Sequence, residues 1–431
     1  GVDDSLRGRF FSPLVRTLWM LIAGAPVVAL APRLAAALDA NLRRPLPALV
    51  LGLLALVVIP LAALLLAAGC AKESSLPTPS GKGTIRAINA IANSPNVAFR
   101  IEERSLDSIA WKAASGGVRF DDFSYTFNFD TVLAGNLTST RIASVSQKVD
   151  AGGDYTFVLT GSLSSPSVTT WVADEPQFGE NATTFLLRFA QLASTLGDLD
   201  IYVADAGVDP VAGMAVATVS YGDVSDYVEL ESDSLVITVT ESNDPGAIVF
   251  QASSLAFNAR TAYFLTMFDG DTANASEYEL RLATNSSGGT TLTDARGAPT
   301  VRFMQTAFDM PLADIYQDEA LTELLVENHA FGDITGDLEI SAGTTEFTYT
   351  AADNVSSVLL EGSLVAAPGV PSNIITYGDG AEFDATAFVS DRRSVSTYAK
   401  LRVFNGVSNF EGLDLYIVDA DEPIDDAIPR Q

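Results

Sequence analysis

Beyond residue 83 the chain alternates apolar and polar residues in short runs that are rich in β-branched and aromatic side chains. Runs such as 155–161 (YTFVLTG) and 263–270 (YFLTMFDG) are bounded by clusters of Gly, Asp, Asn and Ser. This period of two, interrupted by turn residues, is typical of half-buried strands in antiparallel sheets. Two stretches, 252–259 and 318–329, are candidates for short helices. The pattern predicts an all-β fold after an apolar, helical N-terminal region.

The first seventy residues follow a different pattern. Residues 45–71 carry no charge, and this run directly follows Arg43 and Arg44. It is long enough to cross a hydrocarbon core of about 30 Å, and the basic pair predicts a cytoplasmic start. A second apolar stretch, 17–32, lies before it. Residues 1–44 fit either a helical hairpin or a fused reading frame, and the sequence leaves both open.

Cys70 is the only cysteine, and it stands where the apolar run gives way to a Ser- and Pro-rich linker at 71–83. A single thiol cannot form an internal disulfide. Leu66 to Gly69, immediately before it, are small or aliphatic and resemble the lipobox of bacterial lipoproteins. The resemblance implies that 45–70 is a signal segment, that Cys70 carries a lipid anchor, and that the protein is exported to the bacterial outer membrane or cell surface. The alternative is a plain transmembrane helix.

The part of the chain after residue 83 repeats itself. Each copy carries an arginine behind an apolar residue, at spacings of 102, 114 and 100 residues (Arg86, Arg188, Arg302, Arg402). In the last three copies a tyrosine follows 14 residues later, behind Asp and an aliphatic residue (Tyr202, Tyr316, Tyr416). Phe99 has a similar setting in the first copy. These spacings match one β-sandwich domain rather than a solenoid repeat.

We therefore predict tandem immunoglobulin-like antiparallel β-sandwiches over three complete copies and one truncated copy (84–184, 185–298, 299–398, 399–431). A second block recurs within the complete copies (121–129, 222–230, 332–340). We interpret the repeated arginines and tyrosines as structural. An arginine on one strand and the Asp-aliphatic-Tyr motif on its partner would place a charge pair and an aromatic ring at equivalent positions of every core.

The pattern "LR…DLDIYVAD…YGDVSDY", best seen in the second and fourth copies, resembles the bacterial envelope repeats known as domain of unknown function 4397. The resemblance extends from residue 84 to the end of the chain. It implies secreted or lipid-anchored tandems of β-sandwiches and no established activity.

Charge excludes one class of partner. The formal net charge is −29, so the surface repels phosphate backbones, and we expect no nucleic-acid partner. His329 is the only histidine, and we expect it in a solvated loop, so neither a catalytic triad nor a zinc site of the usual ligands is predicted. Calcium is the one cofactor for which the sequence offers weak candidates, in an oxygen-rich turn (Asp269, Asp271, Asn274, Glu277).

These observations favour a non-catalytic, lipid-anchored envelope protein whose sandwiches act as a stalk or as interaction modules in adhesion or scaffolding. Its partners would be the membrane, through Cys70, and a surface glycan or protein. The alternative is a polysaccharide- or ligand-binding lipoprotein that uses exposed aromatics such as Trp111 or Trp171. Abundant carboxylates also leave a glycoside hydrolase as a third hypothesis.

Overall fold

The computed structural model describes residues 77–270, 276–284, 287–380, 382–407, 412–418 and 423. The chain divides into two compact units, Gly1–Thr78 and Pro79–Gln431, and the account below concerns the second. The predictions for 1–44 and 45–70, including Cys70, lie outside the described residues. In the described part of the chain, no helix has the length and apolar character needed to span a membrane.

The described residues form strands and no helix, which confirms the all-β prediction. The two short helices predicted at 252–259 and 318–329 are wrong. In the second stretch the carboxylate of Asp318 accepts hydrogen bonds from the backbone of Thr322 and Glu323, closing a local turn. Leu324–His329 then pairs as a strand, because pairing with a neighbouring strand overrides weak helical propensity.

The first sandwich has eight strands in two four-stranded sheets. Its front sheet has the order β4-β1-β7-β8 and its back sheet the order β3-β2-β5-β6. The strands are β1 (Lys82–Asn89), β2 (Val97–Ile101), β3 (Arg104–Ile109), β4 (Val118–Asp121), β5 (Ser124–Val132), β6 (Ser139–Lys148), β7 (Gly153–Ser162) and β8 (Ser165–Asp174).

The second sandwich has ten strands, with a front sheet of order β12-β9-β16-β17-β18 and a back sheet of order β11-β10-β13-β14, where β15 also pairs with β13. The strands are β9 (Thr184–Gln191), β10 (Leu199–Ala204), β11 (Ala217–Val219), β12 (Val228–Glu231), β13 (Ser234–Glu241), β14 (Asp244–Gln251), β15 (Leu255–Ala256), β16 (Ala262–Asp269), β17 (Tyr278–Thr284) and β18 (Ser287–Leu292).

The third sandwich returns to eight strands, with front order β22-β19-β25-β26 and back order β21-β20-β23-β24. The strands are β19 (Thr300–Gln305), β20 (Ala313–Tyr316), β21 (Leu324–His329), β22 (Leu338–Glu339), β23 (Gly343–Ala351), β24 (Asn354–Ala366), β25 (Pro371–Asp379) and β26 (Glu382–Val389). All described pairing in the three sandwiches is antiparallel except for one pair in each front sheet: β1–β7, β9–β16 and β19–β25 run parallel.

Each sandwich encloses its own apolar core between front and back sheets. The inward residues alternate along the strands, as in β2, where Val97, Phe99 and Ile101 are buried and the two residues between them are half-buried. Aromatic rings fill the first core, with Phe127 and Phe157 only 4.3 Å apart between ring centres. No disulfide is needed for such a core, because burial of apolar side chains supplies the driving force.

The repeated arginines align the three sandwiches. Two residues after each arginine, an isolated bridge joins the front strand to the connection ahead of β4, β12 or β22 (Ile88↔Ala114, Ala190↔Val224, Met304↔Ile334). These bridges make 112–120 the counterpart of 222–230 and 332–340, and our assignment of 121–129 to that block is wrong. The first copy has Lys112 where the other two blocks begin with Gly222 and Gly332, so the sequence alone does not reveal the correct alignment of this block.

Candidate binding interface between the first and second sandwiches

The front strands of the first two sandwiches are buried on both faces. In β1 every residue after Lys82 is buried, and in β7 the first seven residues are. Strands β9 and β16 are similarly enclosed. A strand in a two-layer sandwich is expected to have one covered face, so a second layer must cover the other. That layer is the neighbouring sandwich, since the outer faces of the two front sheets share one apolar cluster (Ile88, Val158, Trp171, Ala190, Leu192, Phe264, Phe268, Ala283).

Arg86 lies at the centre of this interface and is 1% exposed. Its Nη2 atom is 3.3 Å from Oδ1 of Asp154 on β7, and its guanidinium carbon is 5.9 Å from the ring centre of Phe264 in the second sandwich. The hydroxyl of Tyr227, also in the second sandwich, donates to the other oxygen of Asp154 over 2.9 Å. A buried charge pair is thus completed by a hydrogen bond across the interface.

Tyr227 is held in the neutral form that this hydrogen bond needs. Burial raises the pKa of its hydroxyl, and the adjacent carboxylate of Asp154 raises the pKa further. Arg188, the counterpart of Arg86, has its guanidinium carbon 5.6 Å from the ring centre of Tyr227 and donates from Nε to the carbonyl oxygen of Ser225 over 2.8 Å. Burial lowers the pKa of Arg188, and the cation–π contact offsets part of its lost hydration.

Lys112 forms a second anchor at the edge of the interface. Its backbone has φ 65°, a left-handed conformation that the equivalent Gly222 adopts without steric cost. Its Nζ atom is 3.0 Å from Oε1 of Glu279 in the second sandwich, and its carbonyl accepts a hydrogen bond of 2.7 Å from Nε of Arg281. A lysine in this strained conformation therefore joins the two sandwiches at both its side chain and its backbone.

A glycine allows the closest backbone approach at the same edge. A Cβ atom on Gly288 of β18 would lie 2.5 Å from the carbonyl oxygen of Ala114 in the first sandwich. Any side chain there would force the two sheets apart.

A cleft of about 400 Å³ opens where the loops of the two sandwiches meet. We call it the first cleft. Equivalent positions of both repeats line it: Trp111 and Tyr221 occupy the same position in their repeats, as do Ala92 and Ser194. The Trp111 ring has Nζ of Lys112 at 4.3 Å from its centre and the guanidinium carbon of Arg393 at 5.9 Å. Tyr221 is half-exposed.

One carboxylate lies in the wall of the first cleft. Oδ2 of Asp269 accepts from the backbone N–H and hydroxyl of Ser194, and Oδ1 accepts from the same two groups of Thr195. Burial alone would raise the pKa of Asp269, but these hydrogen bonds outweigh it and hold the pKa below its usual value. The carboxylate is ionised and already fully hydrogen-bonded, so it braces the loop.

Comparison with known protein families identifies the family to which the chain belongs. The family model of the domain of unknown function DUF4397 matches residues 83–202 and 299–416, together more than half of the chain. The chain belongs to the DUF4397 family. No curated protein matches the chain.

Each DUF4397 match covers more than one sandwich. The first runs through β1–β8 and on through β9 to Tyr202 in β10, and the second runs through β19–β26 to Tyr416. Both therefore include one sandwich and the opening of the next. The beginning of the second sandwich is the part that packs, through Ala190 and Leu192, against the first.

The repeated DUF4397 arginines occupy equivalent positions in their repeats, and Arg86, Arg188 and Arg302 lie in front-sheet strands, but the partners of the arginines differ. Arg302 lies 3.2 Å from Oδ2 of Asp337, which also pairs with Arg392 at 2.5 Å. The hydrogen bond from Arg392 lowers the pKa of Asp337 most strongly. Arg402 lies over the ring of Phe388, with 4.5 Å between the guanidinium carbon and the ring centre.

The predicted pairing of these arginines with the Asp-aliphatic-Tyr motif is wrong. Arg188 and Arg302 lie in the front strands β9 and β19, whereas Asp200 and Asp314 lie in the back strands β10 and β20. Asp200 instead accepts from Thr218 over 2.6 Å, and Asp314 accepts from the backbone N–H of Asn328 over 2.9 Å. Strands β1 and β2 follow each other in sequence but belong to opposite sheets, so their side chains are not cross-strand neighbours.

The tyrosines of the motif are buried or half-buried. Tyr202 and Tyr316 are 5% and 9% exposed, and Tyr416 is half-buried. In the first repeat the residue 14 positions after Arg86 is Arg100, so it is Arg100, and not Phe99, that stands in place of the tyrosine. Phe99 fills the core position of Ile201, because each pairs with the equivalent residue of the next back strand.

The calcium candidates do not come together as a described cation site. Asp269 is occupied by Ser194 and Thr195, as given above, and Glu277 accepts from the hydroxyl of Tyr278 at 3.3 Å. Asp271 and Asn274 lie outside the described residues. Among the residues that are described, no three acidic, His or Cys side chains cluster closely enough to hold a metal ion.

Two further sequence expectations are corrected. His329 is not in a solvated loop: it ends β21, is 3% exposed, and occupies the core position filled by Ile109 in the first repeat and Val219 in the second. Trp171 is 7% exposed within the interface cluster, so it is not a surface aromatic.

Sequence reasoning also missed Asp154, Tyr227 and Lys112. For Asp154 the sequence does carry a signal, because this residue stands next to an uninterrupted apolar run in β7. Such a run indicates a strand that is buried on both faces.

Proposed function

We propose that this protein is a non-catalytic, lipid-anchored interaction protein of the bacterial cell envelope, in which the first two sandwiches act as one rigid binding body. The observation that carries the proposal is the convergence of equivalent loops from both sandwiches on the first cleft, beside a front-to-front interface closed by Arg86, Asp154 and Tyr227. Adhesion or scaffolding at the cell surface is the role that this arrangement supports best.

Rigidity supports a binding role because a preorganised cleft loses little entropy when a partner binds. Two independent sandwiches on a flexible linker would not hold the two halves of a cleft in register. Here the buried network around Arg86 and the anchor at Lys112 fix the two sandwiches against each other. A buried ionic contact also opposes alternative packings, because any shift leaves a charge without its partner.

Several features support a role without catalysis. The only histidine, His329, is enclosed in an apolar core position, which makes it a poor general base. The carboxylate in the first cleft, Asp269, has both oxygens occupied by loop hydrogen bonds. The burial of His329 and the hydrogen bonds of Asp269 both serve the folded structure of the repeats.

The membrane anchor is a separate part of the proposal and rests on the lipobox-like residues before Cys70. Cells that express the full chain should incorporate labelled palmitate into the wild-type protein and not into Cys70→Ser, which should leave the membrane fraction. Unchanged labelling of Cys70→Ser would contradict the anchor. Cys70→Ser should leave the binding properties of the purified protein unaltered, because the described residues that line the first cleft lie between Ala90 and Gly270.

The binding role is tested with cells that display the full chain. We expect attachment to coated surfaces or neighbouring cells to fall with Tyr221→Ala, since the half-exposed Tyr221 ring lines the first cleft. Leu137→Ala is the matched control, because Leu137 is fully exposed in the β5–β6 turn and distant in sequence from the cleft loops. Equal attachment by wild type and Tyr221→Ala, at equal surface amounts, would overturn the role of this cleft.

A polysaccharide-binding protein is the second candidate function. The half-exposed Tyr221 favours it most directly, because an aromatic face next to hydroxyl and amide groups suits ligands that present both C–H and O–H groups. Trp111 also lines the cleft, but Lys112 and Arg393 lie against its ring. Trp171 does not contribute to this hypothesis, since it is buried between the sandwiches.

A further inference from the structure

A second cleft, of about 460 Å³, lies at the loop end of the third sandwich. The opening of the fourth copy forms part of its wall through Gly406 and Val407. Phe308 and Phe331 line it with rings 5.4 Å apart and nearly perpendicular. Phe308 is 80% exposed and Phe331 53%, which is unusual for large aromatic side chains unless they serve a contact.

The second cleft is built from the same positions as the first. Phe331 lies three residues before the bridge residue Ile334, as Trp111 does before Ala114 and Tyr221 before Val224. The residue four positions after each repeat arginine also lines a cleft. In the first cleft these residues are Ala90 and Leu192, and in the second they are Thr306 and Gly406. The lining of the second cleft thus comes from repeat positions equivalent to those that line the first.

The segment that begins the fourth copy contacts the front sheet of the third sandwich accordingly. Arg402 covers Phe388, and Phe388 occupies the position of Trp171, since the two pair with Asn373 and Thr156 at equivalent points of their sheets. The ring centres of Phe404 and Tyr377 are 5.5 Å apart. Two pairs of repeats thus share these contacts, and each pair carries a cleft at the equivalent loop positions.

The chemistry of the linings indicates an uncharged ligand. No lysine, arginine or histidine belongs to the described lining of either cleft. Lys112 and Arg393 lie behind the Trp111 ring, but Lys112 pairs with Glu279 and Arg393 donates to the carbonyl oxygen of Ser94. With a net charge of −29 on the protein, an anion would find repulsion and little counter-charge. The carboxylate of Asp269 is saturated by loop donors, and Asp309 accepts from the backbone N–H of Gly380 over 2.7 Å. Aromatic rings beside hydroxyl and amide groups, such as Tyr221, Thr160 and Asn93, remain for recognition.

We infer that the two clefts are copies of one site and that together they hold a neutral, repeating polysaccharide. The inference rests on the proposed binding function and names its ligand class. A repeating polymer presents the same unit to both clefts, so binding at one raises the effective concentration at the other. The clefts are not identical, since Trp111 and Tyr221 line the first and the Phe308–Phe331 pair the second, but stacking on an aromatic face tolerates such differences.

The experiment measures binding of the full chain, solubilised in detergent, to a panel of neutral glucans, mannans and galactans, each as polymer and as hexamer. The variants are Tyr221→Ala, Phe331→Ala and the double variant, with Leu137→Ala as control. All replaced side chains are half or more exposed, and equal urea midpoints will verify folding. An anionic alginate serves as the charged probe.

We expect the wild type to bind two hexamers and either single variant to bind one. Polymer affinity should fall by about 100-fold or more in each single variant, because avidity is lost, and the double variant should bind neither probe. If Tyr221→Ala abolishes binding while Phe331→Ala has no effect, the two-site inference is overturned and the proposed function stands. Failure of every neutral polymer to bind, or equal binding of alginate, would overturn the ligand class; the adhesion assay with Tyr221→Ala judges the proposed function independently.

Discussion

The hydroxyl of Tyr227 in the second sandwich donates a hydrogen bond of 2.9 Å to Asp154 of the first, and the same carboxylate pairs with Arg86. The hydrogen bond therefore links the two sandwiches through a charge pair whose side chains are 1% and 2% exposed. Burial of a charge pair is costly unless each member is satisfied. The contact consequently fixes how the two front sheets are oriented.

Replacement of Asp154 by Asn is expected to destabilise the paired sandwiches strongly. The buried guanidinium of Arg86 would lose its carboxylate, and removal of one member of a buried pair costs about 3–5 kcal/mol. Urea unfolding at neutral pH measures the change. Asp121→Asn is the control, because Asp121 pairs with Lys82 at the surface, where ion pairs contribute little. Equal urea midpoints for both variants would contradict the role of Asp154.

The positions of the strands and the repeat plan could be predicted from sequence because they depend on local alternation and on a recurring arginine. The interface could not, since its members come from different repeats and no local period connects Asp154 with Tyr227. The first repeat shows the same limit. Lys112 stands where the other copies have glycine, so the block that begins there escaped recognition until the bridge at Ala114 fixed its register.

Lys112 and Glu279 should behave as a coupled pair. We expect Lys112→Met and Glu279→Gln each to lower the free energy of unfolding, and the double variant to lose less than the sum, because both remove the same 3.0 Å contact. A double-mutant cycle by urea denaturation measures the coupling. Strict additivity of the two single effects would show that this ion pair does not hold the sandwiches together.

Trp171 and Phe388 occupy equivalent positions but differ in burial, so replacing each by alanine should destabilise the protein by different amounts. Trp171 is buried against Phe264, with ring centres 6.2 Å apart, so Trp171→Ala should cost about 3–5 kcal/mol through lost burial and a cavity. Phe388 is only half-buried, and Phe388→Ala should cost clearly less. Thermal unfolding of both variants measures the difference, and a larger loss for Phe388→Ala would contradict the packing described for the first pair.

The cleft residues illustrate a different limit of sequence reasoning. The sequence marks Trp111 as a candidate aromatic but not Tyr221, because nothing in it shows that the two loops converge. The sequence does not distinguish Trp171 from Trp111, because only the packing of the second sandwich buries Trp171. Whether an aromatic residue of a front sheet is exposed depends on the sheet of the neighbouring sandwich that packs against it. The alternation of apolar and polar residues within one strand does not identify that neighbour.

His329 should make the stability of the third sandwich depend on pH. Neither ring nitrogen makes a hydrogen bond of normal geometry among the described residues. Burial lowers the pKa of His329 below its ordinary value of about 6.5, although the charge and the backbone of Asp333 oppose this. The unfolded chain therefore binds a proton at a higher pH than the folded chain does. The stability contributed by the neutral ring is present above about pH 6.5 and is lost as the pH falls below it.

The variant His329→Val places in the third sandwich the residue found at the equivalent Val219. It should raise the urea midpoint and remove the loss of stability between about pH 7 and pH 5, since His329 is the only histidine and the carboxylates titrate mainly at lower pH. Urea titrations at several pH values, followed by the fluorescence of the protein, measure both effects. Because Val differs from His in volume, His329→Leu serves as a second variant. If both variants keep the pH dependence of the wild type, protonation of this buried ring does not control the stability of the third sandwich.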